Sequence, residues 1–204
     1  MQDSTVMTSI ATRLQQIRAR IQQAARDAGR DPAEIKLLAV SKTHDAYKIR
    51  EAYALGCVAF GESYWQEAAI KLRELSDLDI EWHYIGPMQS NKTQNIARHF
   101  TWVHSVDRLK IAQRLNDQRP ADLPPIQICI QVNVSNEASK RGIRLEELPT
   151  LAVAIAQLPR LQLRGLMAIP VLQTERDKQR YAFAQVRIAM QDLNKQGLAL
   201  DTLS

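Results

Sequence analysis

Apolar residues recur along the chain in two alternating patterns, one typical of amphipathic helices and the other of buried strands. Spacings of four and three residues place one group of apolar side chains on a single helical face: Ile10, Leu14, Ile17, Ile21 and Ala24. After Gly29 the pattern changes to a nearly continuous apolar run at 35–40, which has the length of a strand. Such runs are typical of parallel strands that are covered on both faces.

The same alternation continues to the end of the chain. Further strands are predicted at 57–60, 81–85, 102–104, 126–134, 161–167 and 198–203. Helices are predicted between them, at about 45–55, from 63, from 90, and at 107–117, 145–158 and 175–195. Ser63 and Gln66 have the spacing of a capping box at the head of the second of these helices. Strands that alternate with helices indicate parallel βαβ units and an α/β fold.

The predicted strand at 126–134 bears on how these units are arranged. One of its faces is aliphatic, with Ile126, Ile128, Ile130, Val132 and Val134. The other face carries Gln127, Cys129, Gln131 and Asn133. This division fits a barrel strand with helices outside and a polar interior, whereas both faces of a doubly wound sheet are covered by helices. The pattern therefore favours a (β/α)8 TIM-type barrel, with a doubly wound open sheet as the alternative.

Composition narrows the class of protein. The chain has 204 residues, 45% apolar and 24% charged, and these values are ordinary for one globular domain spanning 1–204. No apolar stretch approaches the roughly 20 residues of a membrane span, and no signal peptide is evident. Cys57 and Cys129 lie in strand-like apolar runs and are predicted to be buried thiols, which suits a cytoplasmic protein. The net charge of +5 is weak evidence for nucleic-acid binding, because the arginines of the first 30 residues lack interleaved aromatic residues.

Most standard catalytic motifs are absent. The chain contains no GxGxxG, P-loop, CxxC, HExxH or GxSxG sequence, and its histidines are scattered, so we predict no metal site. His83 and His104 lie near strand ends, where we favour a hydrogen-bonded structural role over a functional one. Lys42 is more informative, because it follows the first strand directly, where a barrel places its functional groups. A lysine amine at that position can form a Schiff base with an aldehyde, although from its position alone we favour a surface lysine at a strand exit.

Several longer runs together resemble one known family. LLAVSKT, FGESYWQE, WHYIGPMQSNK, HSVD, QVNVSNEASKRG and LRGLMAIP occur in order across essentially the whole chain. They resemble the pyridoxal 5′-phosphate homeostasis protein family, whose barrel is similar to the N-terminal domain of alanine racemase. The resemblance implies that pyridoxal 5′-phosphate (PLP) is held as a Schiff base on Lys42. It also implies that Ser63, Ile85 and Met167 lie near the cofactor ring, and that Ser204 opens the phosphate-binding segment.

The resemblance further implies a function without catalysis. The family is viewed as a carrier or buffer of PLP inside the cell, which limits the free aldehyde and passes it to PLP-accepting apo-enzymes. We therefore expect a cytoplasmic monomer with a small-molecule cofactor and no nucleic-acid or membrane partner. Two alternatives remain open. One is a PLP-dependent fold-type III enzyme, an amino-acid racemase or decarboxylase, which needs an acid/base group opposite Lys42. The other is a nucleic-acid or scaffold module, which the positive charge alone suggests.

Two departures from the family pattern matter. The family usually has asparagine where this chain has Ser63, and a hydroxyl cannot place its hydrogen bond where an amide does. The family also continues with a run like GMSxD and a VRIG-like run, whereas the sequence stops at Ser204 within DTLS. We therefore expect the last βα segment of the barrel, and most of the phosphate grip, to be missing from this chain.

Overall fold

The computed structural model describes residues 9–135, 140–171 and 174–204. In these residues, parallel strands pair in chain order into one seven-stranded sheet, numbered β1 to β7. They are β1 (Ala39–Val40), β2 (Ala59–Glu62), β3 (Glu81–Tyr84), β4 (Trp102–Val106), β5 (Ile126–Gln131), β6 (Leu161–Met167) and β7 (Thr202–Leu203). A doubly wound sheet reverses its strand order at a switch point. The unbroken order therefore confirms the barrel-type α/β fold, and no eighth strand lies within the described residues.

Helices connect the strands and cover the outer face of the sheet. They are α1 (Ile10–Asp27), α2 (Ala46–Ala54), α3 (Trp65–Glu74), α4 (Thr93–His99), α5 (Leu109–Gln118), α6 (Leu148–Ala156) and α7 (Arg176–Lys195). Short 3₁₀ helices occupy Pro32–Glu34 and Leu145–Glu147. Local sequence explains where the first two α-helices begin. The side chain of Ser9 accepts from the backbone N–H of Thr12 at 3.2 Å, and that of Asp45 accepts from Lys48 at 3.0 Å.

The hydrophobic core lies between the sheet and this outer layer of helices. Ile126, Ile128 and Ile130 of β5 are completely buried there, together with Ile111 of α5 and Ile155 of α6. Burial of one such side chain stabilises the fold by about 1.5–3 kcal/mol. The aliphatic face of β5 therefore points outward to the helices, as the sequence predicts. The opposite, more polar face points into the barrel interior.

Several element boundaries differ from the predicted ones. The first strand is two residues long rather than six, and among the strands that the structure describes it pairs with β2 alone. The capping box at Ser63 is wrong: the N-cap of α3 is Tyr64, and no side chain caps it. Strand β5 ends at Gln131, and the segment predicted as the last strand pairs only at Thr202–Leu203.

Candidate functional site

The residues expected to bind the cofactor all lie at the carboxyl ends of strands. Lys42 follows β1, Ser63 follows β2, Ile85 follows β3, Met167 ends β6 and Ser204 follows β7. In a barrel of parallel strands these ends open on one face, where functional residues gather. The structure therefore places all five at the same edge of the sheet.

Lys42 is exposed, and its amine has neither a hydrogen bond nor an ion pair within the described residues. The backbone on either side of it is held in place. The Ser41 N–H donates to the Gly61 carbonyl at 2.9 Å, and the Thr43 N–H donates to Glu67 Oε2 at 2.9 Å. Thr43 has a φ of +65°, a left-handed conformation that β-branched residues rarely adopt. The loop is thus fixed by its neighbours, while the Lys42 amine is free to react.

A buried cluster of charged and polar groups lies beneath this loop. Glu62 is fully buried, and Lys71 of α3 is 5% exposed. The Lys71 amine donates to Glu62 Oε1 at 2.7 Å and to the Ser41 carbonyl at 2.8 Å. The Ser41 hydroxyl donates to the same Glu62 oxygen at 2.6 Å. These bonds, which we call the loop anchor (Ser41, Glu62 and Lys71), fix the backbone carbonyl immediately before Lys42.

Ser63 and Ile85 are brought together by a close backbone approach. Gly86 packs so tightly against Ser63 that a Cβ on Gly86 would lie 2.0 Å from the Ser63 carbonyl oxygen. That oxygen accepts a hydrogen bond from the Tyr84 hydroxyl at 3.1 Å. The half-buried side chain of Ile85 lies against Gly61, where an added Cβ would come within 3.1 Å of it. The contact between the second and third strand ends therefore requires glycine at position 86.

Met167 and Ser204 are joined through the pairing of the last two strands. The Ser204 N–H donates to the Leu166 carbonyl at 2.9 Å, and the Ala168 N–H donates to the Ser204 carbonyl at 3.0 Å. These bonds flank the buried Met167. The side chain of Ser204 is exposed at the carboxyl edge, and its Oγ lies 2.7 Å from His104 Nδ1.

A line of polar side chains runs from this hydroxyl through the barrel interior. His104 Nε2 lies 2.8 Å from His83 Nδ1, and His83 Nε2 lies 2.5 Å from Glu81 Oε1. Glu81 also accepts a hydrogen bond from Lys36. We call Ser204, His104, His83 and Glu81 the histidine chain. It connects the carboxyl edge of the sheet with the amino-terminal end of β3.

Burial controls the protonation of both histidines. Desolvation lowers the pKa of His83 to about 4, although Glu81 favours its charged form. Desolvation and the neighbouring His83 lower the pKa of His104 to about 3. Burial would raise the pKa of Glu81, but the hydrogen bond from Lys36 and the charges around it outweigh burial and lower the pKa. At neutral pH the histidine chain therefore consists of the neutral imidazoles of His83 and His104 and the carboxylate of Glu81, together with the Ser204 hydroxyl.

The amino-terminal half of the interior is filled by a second polar group of residues. The Arg164 guanidinium lies 5.2 Å from the centroid of the Trp102 ring. It also donates to Gln127 Oε1 at 2.7 Å and binds both carboxylate oxygens of Asp201. The Trp102 ring stacks on His83 with centroids 5.5 Å apart. These contacts occupy the interior below the histidine chain.

The loop anchor and the histidine chain were not predicted from the sequence. One signal pointed to the anchor: Lys71 lies between Ala68 and Leu75 on the apolar stripe of α3, where an unpaired charge is rare. No comparable signal pointed to the histidine chain. His83 and His104 are 21 residues apart in sequence, and they meet only because His83 pairs with Trp102 in the register of β3 with β4.

The side chains at the carboxyl edge fit PLP by their chemistry. A primary amine without a partner suits an aldehyde, the exposed Ser204 hydroxyl suits a phosphate, and the apolar Ile85 and Met167 suit an aromatic ring. Among residues 9–135, 140–171 and 174–204, no group of three or more His, Cys, Asp or Glu side chains is arranged to hold a metal ion. None of the helices described is both long and apolar enough to cross a membrane.

Comparison with known proteins gives one consistent family. Residues 12–204 match the family model described as alanine racemase, N-terminal domain. The pyridoxal phosphate homeostasis protein of Pseudomonas aeruginosa is 60% identical over 97% of this chain and 85% of its own length. The protein of the same name from Escherichia coli is 51% identical, with 97% of this chain and 86% of that protein covered.

Solved structures agree with the fold. PipY of Synechococcus elongatus, determined with PLP bound, is 37% identical and superposes with a TM-score of 0.76 over 90% of this chain and 86% of its own. The same protein without PLP superposes with a TM-score of 0.83 over 96% of this chain and 87% of its own. Alanine racemase from Corynebacterium glutamicum, 21% identical, shares the fold with a TM-score of 0.62 over 93% of this chain and 52% of its own.

Proposed function

The chain belongs to the pyridoxal phosphate homeostasis protein family, and from that premise we propose that it binds PLP as a non-catalytic carrier, with Lys42 as the point of covalent attachment. The observation that carries the proposal is the exposed, unpartnered amine of Lys42 on a loop held by the loop anchor. When bound, PLP supplies an aldehyde that condenses with this amine to a Schiff base and releases one water. The relatives named for PLP homeostasis, and PipY with PLP bound, support this choice of cofactor.

The remaining residues of the site have roles that follow from their positions. The half-buried Ile85 and the edge of the buried Met167 would lie against the ring, and the backbone of Ser63 holds the second strand end in contact with Gly86. Ser204 offers its hydroxyl to the phosphate. We propose that all these groups act within one domain over 1–204.

We favour a carrier over an enzyme because two ionisable groups near this edge other than Lys42, the buried Lys71 and His104, already have partners. Racemisation or decarboxylation needs a group that gives and takes protons at the substrate. The Lys71 amine is held by Glu62 and Ser41, and His104 is held between His83 and Ser204. We propose that PLP is stored reversibly on Lys42 and passed to apo-enzymes by a cytoplasmic monomer. The two free, buried cysteines suit that compartment.

The test is a titration with PLP followed by borohydride reduction and peptide mapping. Wild-type protein should give the absorbance of a protein-bound Schiff base and one trapped adduct on Lys42. Lys42→Ala should lose both while keeping its fold, and Lys48→Ala, a change on the first turn of α2, should keep both. An adduct confined to another lysine would refute the assignment. Repeated turnover of amino acids by the purified protein would favour the enzyme.

A further inference from the structure

The histidine chain has a defined hydrogen-bonding direction. Glu81 is ionised and so only accepts hydrogen bonds, and His83 Nε2 must therefore carry the hydrogen between them. Because His83 is neutral, its Nδ1 has a lone pair, and it accepts from His104 Nε2–H at 2.8 Å. His104 is neutral as well, so its Nδ1 in turn accepts from the Ser204 hydroxyl at 2.7 Å. Each donor is thus determined by its neighbour, starting from the carboxylate.

This direction conflicts with phosphate binding at Ser204. A serine hydroxyl has one hydrogen, and here that hydrogen points at His104. The oxygens of a phosphate dianion are acceptors and need a donor. If the Ser204 hydroxyl simply turned to the phosphate, the Nδ1 atom of His104, a residue only 4% exposed, would lose its partner. Leaving a buried polar atom without a hydrogen-bond partner is unfavourable.

One added proton removes the conflict without moving any heavy atom of the chain. A proton taken from solvent onto His104 Nδ1 turns this atom into a donor to Ser204 Oγ. The Ser204 hydroxyl is then free to donate to the phosphate. The bond from His104 Nε2 to His83 Nδ1 keeps its direction, and transfer of a proton along it moves the positive charge next to Glu81.

We propose that binding of a phosphate monoester at Ser204 draws one proton into the His83–His104 pair, so that these two residues position the serine hydroxyl. The inference rests on the proposed function, since it takes Ser204 as the phosphate donor. His104 and His83 touch no ligand themselves. They act through Ser204 and are positioning residues.

The charges around the pair are consistent with one added proton. Glu81 of β3 faces His83 and stabilises a positive pair, as does the incoming phosphate. Lys36, before β1, and Arg164 of β6 oppose it. Arg164 is bound to Asp201, whereas Lys36 is bound to Glu81 itself, which weakens the stabilisation that Glu81 gives. Within the part of the chain that the structure describes, the other titratable groups facing the interior are Asp201, which binds Arg164, and the Cys129 thiol, whose pKa burial raises to about 12. The pair is therefore the group that gains charge when phosphate arrives.

The experiment compares pyridoxine 5′-phosphate with pyridoxine, because neither has an aldehyde and both bind without Lys42 chemistry. Isothermal titration in two buffers of different ionisation enthalpy counts the protons taken up. For wild type we expect uptake of about one proton with the phosphorylated ligand, and a Kd that rises about tenfold per pH unit across the window in which the bound pair titrates. Pyridoxine should show neither effect.

His104→Asn is the diagnostic variant, because an amide N–H can donate to Ser204 Oγ without a proton from solvent. When this variant binds pyridoxine 5′-phosphate, it should take up about one proton fewer than wild type. The slope of log Kd against pH should be smaller by about one. His99→Asn, on the exposed surface of α4, should behave like wild type. The titration of the ligand's own phosphate appears in all three proteins and cancels in the comparison.

Three results would overturn the inference. Equal proton uptake in wild type and His104→Asn would show that the pair does not respond to phosphate. Independently of any variant, nitrogen NMR of wild type should show the His83 and His104 rings each with one N–H in the absence of ligand. Saturation with pyridoxine 5′-phosphate should add one ring N–H to the pair. Unchanged protonation of both rings at saturation would contradict the proposal. Failure of wild type to bind pyridoxine 5′-phosphate at all would refute phosphate binding at Ser204, and the inference with it. Attachment of PLP to Lys42 is tested separately by borohydride reduction and peptide mapping.

Discussion

Replacement of Lys71 by methionine tests the loop anchor most directly. The ion pair with Glu62 is buried, with 6% and 0% of the two side chains exposed. Methionine keeps the aliphatic length of lysine but removes the positive charge. Glu62 Oε1 would then keep only the hydrogen bond from the Ser41 hydroxyl, and Glu62 Oε2 has no hydrogen-bond partner to begin with. Breaking one side of a buried pair destabilises by about 3–5 kcal/mol. For a domain whose stability is about 5–15 kcal/mol, this is a large fraction.

The assay is urea unfolding at neutral pH, followed by circular dichroism and by tryptophan fluorescence. Lys71→Met should lower the free energy of unfolding by about 3–5 kcal/mol, and the double variant Lys71→Met/Glu62→Leu should recover most of it, because an apolar pair leaves no buried charge. Lys195→Met breaks an exposed pair with Asp192 and should change stability by less than about 1 kcal/mol. A loss below about 1 kcal/mol in Lys71→Met, or no recovery in the double variant, would refute the buried-pair argument.

Three further measurements test other parts of the structure. The free energy of unfolding should fall as pH drops from about 6.5 towards 4, by up to about 1.4 kcal/mol per pH unit for each buried histidine, because His83 and His104 are protonated in the unfolded chain but stay neutral in the folded one. In urea unfolding, His104→Asn should reduce this dependence on pH, and an unchanged dependence would contradict the burial argument. Gly86→Ala should lower the free energy of unfolding by more than about 2 kcal/mol, because the new Cβ would lie 2.0 Å from the Ser63 carbonyl oxygen. In the control Gly29→Ala the new Cβ meets no atom within 4 Å, so the loss should be only about 1–2 kcal/mol, from the φ of +64°. Equal losses in the two variants would show that the structure around Gly86 adjusts to the added Cβ. Cys129, whose pKa is raised to about 12 by burial, should not react with iodoacetamide at pH 8 until the protein unfolds, and rapid native labelling would mean that the interior opens.

The sequence predicted the elements better than their ends. The strand at 161–167 has the predicted bounds, and β6 pairs with a neighbour on both sides. The apolar run at 35–40 predicted a longer β1, because hydrophobicity marks burial and carries no information on whether a hydrogen-bonding neighbour is present. Ser63 matched a capping-box spacing, yet its carbonyl is instead bonded by Tyr84, a contact between two strand ends that local spacing does not contain.

The site was predictable to the extent that it depends on strand order. Lys42 and Ser204 reach the same edge because parallel strands end together, and a barrel pattern alone implies this. The histidine chain depends on register, since a shift of one residue between β3 and β4 would turn one imidazole out of the interior. Such a register is set by packing over the whole sheet. For this reason the histidine chain could not be predicted from the sequence.

The loop anchor also determines which part of the fold keeps the reactive lysine in place. Strand β1 contributes only two residues, and the carbonyl before Lys42 is tied to a side chain of α3 that lies 30 positions further along the chain. Local opening of the 41–43 segment must therefore break contacts with α3 as well as the hydrogen bond from Ser41 to β2, so the helix contributes to its free energy together with the strand. We expect the amide hydrogen at 43, which donates to Glu67, to exchange together with those at the contact face of α3. The amide hydrogen at 41 donates to Gly61, so its exchange reports the pairing of β1 with β2 instead.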